Sequence, residues 1–504
     1  MKSQNAIIDP ASGLTAGYSS SHLPDFDKEQ FSQAIKSAVL SSSGWRFIAA
    51  PKGENDSSES ISDTAALLAS SMGMTIADFF TERYGSYHTP CIALACDSRP
   101  SGPAIASILM RCFLGAGIRV RYAFITASPE ILAYTAMEPE IDAFICITAS
   151  HNPVGWNGLK IGDADGVFPS YVIDPLIHKL RQLEKTNKHI PALINKNNAI
   201  DDQLISQEIS NSSIWKKACL LAYSNWTDTI AFDNNDTNKA RLQKSIQQKP
   251  IGIVQDMNGS ARCSTIDTEY LQKLGCKIHQ YQAGLRNFSH AIVPEGASLI
   301  PCFEQLQQLA KTQAEFSFGY VPDNDGDRGN LVTPQRPVNA QEVFSLSVVS
   351  ELCWLEWLAG DQQLSKNGTH TTTNQPIAIV ANGATSLRLD AICEAFGASV
   401  FRAEVGEANQ VELASTLRKQ GYLVRVLGEG SNGGTILHPA RIRDPLNTII
   451  SILKFLRMPA NSKGETPWNI WKNISGMEEG PANMENALAS LPLFQTTGVY
   501  EDRA

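Results

Sequence analysis

The sequence predicts an α/β protein with three successive related α/β domains, whose mixed, mainly parallel sheets surround a central active-site cleft. Apolar, strand-like runs alternate with segments of helical apolar spacing along most of the chain. Three successive units each run strand, glycine-bearing polar turn, helix, which indicates related subdomains that meet at a shared centre. The 504 residues, 43% of them hydrophobic, exceed one core and correspond to about three domains of ordinary size.

The chain divides into an N-terminal extension, three domains and a C-terminal linker. The extension is polar and serine-rich, and Lys185 to Asn211 is a polar stretch that we interpret as a linker or surface excursion. The predicted boundaries are 1–40 for the extension, 41–205, 206–335 and 336–480 for the three domains, and 481–504 for the linker.

The apolar spacing predicts the following elements in chain order. The first domain has helices over 61–85, 103–115 and 129–137, and strands over 91–96, 118–125 and 143–147. The second has strands that begin at 251, 277 and 315, and a helix that begins at 264. The third has a helix over 340–358, a loop over 360–375, and strands within 376–386 and 422–434.

Composition excludes several classes of protein. The net charge of -9, from 42 basic and 51 acidic side chains, gives no electrostatic footprint for nucleic acid or anionic membrane. The ten cysteines are spread singly, as expected of reduced core thiols in a cytosolic protein. The N-terminus lacks a signal-peptide pattern, and no run approaches the ~18 apolar residues of a membrane span. We therefore expect a cytoplasmic protein.

The stretch from Phe144 to Gly162 carries the first chemical signal. A buried strand ends in the small and polar residues TASHNP, which place Ser150 on a turn at the strand end. A serine is a weak nucleophile unless nearby groups assist it, and His151 and Lys160 are the local groups able to do so. The alternative is an ordinary loop in which the hydroxyl caps its own backbone.

A second signal is the sequence DNDGDRG, in which Asp323, Asp325 and Asp327 alternate on a glycine-containing turn. Crowded carboxylates repel unless a hard divalent cation lies among them, and an all-oxygen site suits magnesium. An EF-hand is excluded because Gly326 falls at loop position four instead of six. A solvated acidic turn is one alternative. Another is a dehalogenase-like phosphatase that uses Asp323 as its nucleophile.

Two weaker signals concern substrate. The turn GEGSNGG offers the carboxylate of Glu429, the hydroxyl of Ser431 and the amide of Asn432, groups that suit sugar hydroxyls, although a glycine-rich hairpin explains it equally well. Arg46 follows a short serine-rich loop that can bring its guanidinium toward an anion. Together with the serine turn and the aspartate cluster, these features describe phosphoryl transfer to and from a sugar.

The chain resembles the α-D-phosphohexomutases, the phosphoglucomutase and phosphomannomutase superfamily. TASHNP at 148–153 is similar to the family's phosphoserine loop, DGDR at 325–328 to its magnesium loop and GEGS at 428–431 to its sugar loop. SGWR at 43–46 and DSRPSG at 97–102 are similar to two further stretches of its first domain. The resemblance runs in order from about 40 to 500.

The resemblance implies an isomerase that interconverts hexose 1-phosphate and hexose 6-phosphate. It implies a phosphate on Ser150, one Mg²⁺ held between that phosphate and the three aspartates, and a hexose 1,6-bisphosphate intermediate. It also implies Lys160 as general acid/base, His151 and Arg46 near the phosphoserine, and Arg328 in the wall of the site. We expect small hexose phosphates as the only partners of a monomer or homodimer, with no nucleic acid or membrane.

The sequence departs from the family at three places. Ala408 stands where many relatives carry a basic residue, and Gly433 stands where dual-specificity members have a histidine, which favours glucose over mannose. The phosphate-clamping string R-x-S-G-T-E-P of the fourth domain does not occur. We therefore expect that domain to be absent, either because the sequence is a fragment of a longer protein or because the clamp has been lost, and we expect the substrate phosphate to be held weakly. A sugar-phosphate-binding protein without catalysis is the alternative that follows.

Overall fold

The computed structural model describes residues 5–183, 190–361, 375–430 and 434–493. Within them, three mixed sheets are flanked by helices, which confirms the predicted α/β class. Each sheet has three parallel strands at its centre and an antiparallel strand at one side.

The first sheet lies between residues 39 and 167, and a separate two-stranded ribbon precedes it. β5 pairs in parallel with β6 and β7, and β8 joins β7 in the antiparallel sense. The strands of this part are β1 (Ala6–Ile8), β2 (Thr15–Tyr18), β3 (Val39–Ser41), β4 (Gly44–Ile48), β5 (Cys91–Cys96), β6 (Arg119–Ile125), β7 (Ala143–Ile147), β8 (Trp156–Asp163) and β9 (Gly166–Val167).

Eight helices accompany the first sheet among the described residues. α2 and α3 pack against each other, and most of their side chains are buried. The helices are α1 (Lys28–Ser37), α2 (Asp63–Tyr84), α3 (Gly102–Gly115), α4 (Ser128–Met137), α5 (Ser170–Gln182), α6 (Ile190–Asn198), α7 (Asp202–Ser210) and α8 (Ser212–Phe232).

The stretch predicted as a linker, Lys185 to Asn211, contains helices α6 and α7, so that interpretation was wrong for its described residues. Each helix buries two isoleucines four positions apart, Ile190 and Ile194 in α6 and Ile205 and Ile209 in α7. Two apolar residues at i and i+4 form one helical face, and tertiary packing of that face overrides the polar composition.

The N-terminal segment folds onto the first sheet's helices. Arg111 on α3 donates hydrogen bonds to the carbonyls of Ser19 and Ser21, and the backbone N–H of Tyr18 donates to Ser107. Helix α8 packs against α4 and β6, while Tyr223 near its middle donates to Asp444 in the third domain region. The predicted extension and the boundary near 205 therefore fall inside packed structure.

The second and third sheets have identical strand orders, β11-β10-β12-β13 and β15-β14-β16-β17. Two 3₁₀ turns, Ala261–Ser264 and Gly296–Leu299, flank the second sheet. Its elements are α9 (Asp236–Gln248), β10 (Gly252–Asp256), α10 (Asp267–Lys273), β11 (Lys277–Tyr281), α11 (Ile300–Ala310), β12 (Phe316–Pro322) and β13 (Gly329–Val332). Those of the third are α12 (Ala340–Gly360), β14 (Ala378–Asn382), α13 (Arg388–Ala395), β15 (Ser399–Ala403), α14 (Glu407–Lys419), β16 (Val426–Glu429), β17 (Gly434–Leu437), α15 (Pro445–Arg457), α16 (Pro467–Ser475) and α17 (Met484–Ala489).

The first sheet contains the same pattern, because β6-β5-β7-β8 repeats the order of the other two sheets. In each case the first strand is central, the second and third flank it in parallel, and the fourth returns antiparallel to the third. This shared order confirms the prediction of three related units.

Helix α12 is apolar on nearly all faces. Among the described residues it is the one helix that is long and apolar enough, by length and composition, to cross a membrane. However, 78% of its most apolar window is buried inside the fold, where it packs against α15 and α16. A helix that is hydrophobic all round is expected at the centre of a large core, and α12 occupies that position here.

Candidate active site

The turn that carries Ser150 begins where strand β7 ends. Because β5 and β7 are parallel neighbours, their carboxyl ends open at the same edge of the sheet. Thr148 Oγ1 donates to Asp97 Oδ2 at 2.8 Å and accepts from the backbone N–H of Ser150 at 2.8 Å. Ser150 has a φ of 51°, so the turn is left-handed at the serine itself.

Arg99, which follows β5, donates hydrogen bonds to the backbone of this turn. Its Nη2 donates to the carbonyls of Ser150 (2.7 Å) and Asn152 (2.6 Å), and its Nη1 donates to those of Pro153 and Trp156. Its Nε pairs with Asp97 at 3.1 Å, and the side chain is fully buried. One guanidinium group therefore satisfies four main-chain carbonyls of the serine turn.

The aspartate cluster lies on the turn between β12 and β13. Gly326 is required there, because its φ is 70° and a Cβ would lie 2.8 Å from the side chain of Arg262. Ser150 Oγ donates to Asp323 Oδ2 at 3.1 Å. The structure thus brings together two turns that are 173 residues apart in sequence.

The three aspartates fit a divalent cation. Each offers an oxygen, and these oxygens lie within 4.8 Å of one another. Burial and the charges of Asp325 and Asp327 raise the pKa of Asp323 well above its usual value. The Oδ1 atoms of Asp325 and Asp327 are buried without a hydrogen-bond partner in the described structure, as expected of oxygens that face a metal.

Serine hydroxyls of the first unit anchor the aspartate turn. Ser98 Oγ donates to Asn324 Oδ1 at 2.6 Å, and Ser128 Oγ donates to Asp325 Oδ2 at 2.7 Å. The backbone N–H of Ser128, the first residue of α4, also donates to the carbonyl of Asp325. These bonds fix the aspartate turn against the edge of the first sheet.

Lys160, on β8, lies beside the aspartates. Its Nζ is 2.8 Å from both Asp325 Oδ2 and Asp327 Oδ2, and 3.4 Å from Ser128 Oγ. Burial alone would lower the pKa of Lys160, but the two carboxylates outweigh it and raise the pKa above the usual value. In this arrangement Lys160 is a charged ion-pair partner of the aspartate turn.

Three further predicted residues, His151, Arg46 and Arg328, line the same cavity as Ser150. His151 Nδ1 is 3.4 Å from Ser150 Oγ and 3.2 Å from Arg328 Nη1. Burial, together with the charges of Arg328 and Arg46, lowers the pKa of His151 to about 4. The imidazole is therefore neutral near pH 7, and the two arginines form a cationic wall.

Arg443 is a site residue that the sequence analysis missed. Its guanidinium pairs with Asp327 (2.8 Å), Glu429 (2.6 Å) and Glu407 (2.9 Å), which belong to three separate elements. Glu429 also accepts from Asn382 Nδ2 at 2.9 Å. The carboxylate predicted to bind sugar is thus held by an arginine that also contacts the aspartate turn.

These residues surround a cavity of ≈ 300 Å³. Ala408 lies in its wall beside Glu407, while Ser431 and Asn432 lie outside the described residues. The lining residues are Ser41, Ser42, Ser43, Arg46, Ser150, His151, Lys160, Val167, Arg328, Val405, Gly406, Glu407, Ala408, Asn409, Glu429 and Arg443.

Comparison with known proteins places the chain. The family model described as phosphoglucomutase/phosphomannomutase, alpha/beta/alpha domain I, matches residues 52–185, and the model for domain III matches residues 358–474. A phosphoglucosamine mutase from Clostridium botulinum is 32% identical over 135 residues, which cover 27% of this chain and 29% of the relative. A phosphoglucomutase/phosphomannomutase from Thermococcus kodakarensis is 24% identical over 352 residues, which cover 69% of this chain and 64% of the relative. The chain thus spans less than two thirds of these relatives.

Solved structures show the same fold. A phosphoglucomutase/phosphomannomutase family protein from Burkholderia thailandensis has a TM-score of 0.55 at 17% identity, over 89% of this chain and 80% of that one. The phosphoglucomutase parafusin from Paramecium has a TM-score of 0.55 at 14% identity, over 84% of this chain and 70% of that one. Residues 52–185 and 358–474 thus match domains I and III of the phosphoglucomutase/phosphomannomutase family, and the chain has the fold of solved structures with that name.

Proposed function

We propose that this chain transfers a phosphoryl group between Ser150 and a hexose phosphate, and so interconverts hexose 1-phosphate and hexose 6-phosphate. The observation that carries the proposal is the 3.1 Å contact between Ser150 Oγ and Asp323, inside a buried cluster of three carboxylates. A nucleophilic hydroxyl beside a site for a hard cation is the arrangement that phosphoryl transfer requires.

The residues divide the work as follows. Asp323, Asp325 and Asp327 would hold Mg²⁺, which when bound neutralises the charge that spreads over the transferring oxygens. Arg46 and Arg328 line the cavity and would donate charge-assisted hydrogen bonds to phosphate oxygens. These contacts orient the phosphate and replace the water that it loses on entry.

In the transfer step, the bond between phosphorus and Ser150 Oγ breaks while a sugar hydroxyl oxygen forms the new bond to phosphorus. Lys160, which lines the cavity and is charged in this arrangement, would give a proton to the departing Ser150 oxygen, and the neutral amine would then accept the proton of the sugar hydroxyl. The resulting hexose 1,6-bisphosphate then presents its other phosphate, which returns to Ser150 by the reverse of the same step.

We further propose a gluco-configured substrate. Glu429 lines the cavity and offers a carboxylate for sugar hydroxyls, and Gly433 provides no histidine of the kind found in dual-specificity members. Several relatives are named phosphoglucosamine mutases, so glucosamine phosphate belongs in the comparison with glucose and mannose phosphates.

The decisive experiment combines peptide mapping with turnover. We expect mass spectrometry of the purified protein to find phosphate on Ser150; phosphate on Asp323 would support the phosphatase alternative, and none would support a binding protein. Ser150→Ala should lower turnover of glucose 1-phosphate, assayed with Mg²⁺ and a trace of glucose 1,6-bisphosphate, by at least about 10³-fold. Ser210→Ala, an exposed serine on α7, is the matched control. A fully active Ser150→Ala protein would rule out the mechanism.

A further inference from the structure

A second cationic cluster lies at the end of the β16–β17 hairpin that is remote from Glu429. Arg418 is in the last turn of α14, and its Nε and Nη2 donate to the carbonyl of Val424 at 3.2 and 2.7 Å. His438 follows β17, and its backbone N–H donates to the carbonyl of Arg425 at 2.8 Å. The hairpin pairing therefore brings Arg418, Arg425 and His438 together.

The charges in this cluster are not balanced. Arg425 pairs with Glu351 at 2.7 Å, and the same carboxylate receives Lys454 at 2.9 Å. Over the described ranges, neither Arg418 nor Arg441 has a carboxylate within 4.0 Å. Two arginines thus remain without a counter-charge beside a pair of cations that share one glutamate.

The pKa shifts of Arg418 and His438 agree with this excess of positive charge. Burial and the charges of Arg441 and Arg425 lower the pKa of Arg418 to about 10. Burial and the same group of arginines lower the pKa of His438 to about 3, and no acidic side chain opposes the shift. The Nδ1 atom of His438 is buried without a hydrogen-bond partner in the part of the chain that the structure describes. A neutral imidazole with an unused nitrogen therefore lies near three arginines, two of which have no carboxylate partner within 4.0 Å in the described ranges.

The first unit closes one side of the cluster. Gly166, the first residue of β9, has a φ of 114°, and a Cβ there would lie 3.2 Å from Cβ of Arg441 and 3.1 Å from its carbonyl oxygen. Any other residue at this position would push Arg441 away. Arg418 and Arg441 are both partly exposed, so the cluster is open to solvent-borne ligands.

We propose that Arg418, Arg441 and His438 form a binding site for a tetrahedral oxyanion, either inorganic phosphate or the phosphate group of a small phosphomonoester. Two guanidinium groups supply charge and several N–H donors, and the imidazole supplies one further polar nitrogen, which together suit a dianion. None of the three residues lines the active-site cavity.

The test follows the imidazole signal of His438 by NMR, identified by its loss in His438→Gln. Inorganic phosphate and methyl phosphate are titrated separately against chloride at constant ionic strength. We expect phosphate to shift the His438 signal, and Arg418→Gln and Arg441→Gln each to weaken that response about tenfold, because each removes charge-assisted hydrogen bonds. A response to inorganic phosphate alone identifies free phosphate as the ligand, and a response to both identifies the phosphomonoester class.

Two controls separate this site from other effects. Arg119→Gln removes the same charge from an exposed arginine on β6 and should leave the response intact. Arg46→Gln removes a positive charge from the active-site cavity. It should also leave the response of the His438 signal to phosphate intact, because the two sites are distinct. A His438 signal that ignores phosphate in the folded wild type, or a response that survives both Arg418→Gln and Arg441→Gln, would overturn the proposal.

Discussion

At the scale of single residues, the backbone of Ser150 is stabilised by one side chain. Its φ of 51° lies in the left-handed region, which costs an L-residue other than glycine about 1–2 kcal/mol. Arg99 offsets this cost with hydrogen bonds to four carbonyls of the same turn, and burial of the guanidinium shields those bonds from water. The position of the hydroxyl therefore depends on Arg99.

We predict that Arg99→Lys lowers kcat at least about hundredfold, because a lysine keeps the charge but cannot donate to four carbonyls, and small misplacements of a nucleophile are costly. The control is Arg111→Lys, a second fully buried arginine that donates to the carbonyls of Ser19, Ser21 and Ile200. It should lose stability without the loss in kcat. Equal kcat losses in the two variants would contradict a positioning role for Arg99.

Some site residues were accessible to sequence reasoning and others were not. Ser150 follows a continuous apolar run that is typical of a buried strand, and Asp323 follows alternating aromatic residues that are typical of a half-buried strand, so their place at a strand end could be predicted. Arg443 gave no such signal, because its partner Asp327 is 116 residues away and the intervening pattern does not encode the pairing. Ser128 could have been found as a polar residue that starts helix α4, three positions after β6 and at the same sheet edge.

At the scale of secondary structure, prediction succeeded where the buried face was continuous. Helix α2 was predicted over 61–85 and spans Asp63–Tyr84, and helix α3 was predicted over 103–115 and spans Gly102–Gly115. Helices α6 and α7 were missed because each contributes only two buried isoleucines to a polar sequence. Short helices of this kind form through tertiary contact, which local periodicity does not report.

Helix α12 is connected to α15 and to Arg425, the residue before β16, by one buried carboxylate. Glu351 accepts from Arg425 (2.7 Å), Ser451 (2.6 Å) and Lys454 (2.9 Å). Burial alone would raise the pKa of Glu351, but Lys454, Arg425 and Ser451 outweigh it and lower the pKa to about 2. Burial, partly opposed by Glu351, lowers the pKa of Lys454 to about 8. The carboxylate is therefore the counter-ion for two buried cations.

We predict that Glu351→Gln destabilises the fold by about 3 kcal/mol at pH 7, because it leaves both cations unpaired. A carboxyl with a lowered pKa contributes stability above its unfolded value of ~4.5, and that contribution is lost as pH falls toward 2. The difference between wild type and variant should therefore shrink over this window in urea unfolding experiments. Glu356→Gln, exposed on the same helix, is the control, and a constant difference down to pH 2 would refute the assignment.

At the scale of the whole molecule, the three units place their chemistry at equivalent positions. The serine turn joins β7 to β8, the aspartate turn joins β12 to β13, and the glycine-rich turn joins β16 to β17. In each unit these are the third strand and the antiparallel fourth strand. The repeated strand–turn pattern allowed the relationship between units to be predicted, whereas the contact between the serine turn and the aspartate turn required the structure.

We predict that Mg²⁺ raises the unfolding temperature, because a cation that binds only the native cluster stabilises it by mass action, by about 2.7 kcal/mol at a hundred times its Kd. Asp325→Asn should abolish most of this shift, and Asp165→Asn, exposed on the β8–β9 turn, should retain it. Thermal unfolding with EDTA and with Mg²⁺ provides the measurement independently of activity. An unchanged unfolding temperature in the wild type would count against a metal site.

Because the serine turn and the aspartate turn each connect two paired strands, each of these turns is fixed to its own sheet. Three side-chain contacts connect the aspartate turn to the neighbouring units. Ser98 and Ser128 of the first unit donate hydrogen bonds to it, and Arg443 of the third unit pairs with Asp327. A small rotation of the third sheet would pull Arg443 off Asp327 and widen the cavity, yet leave the serine turn with its four Arg99 bonds undisturbed. The width of the cavity can thus depend on how the sheets pack, while Ser150 keeps its position.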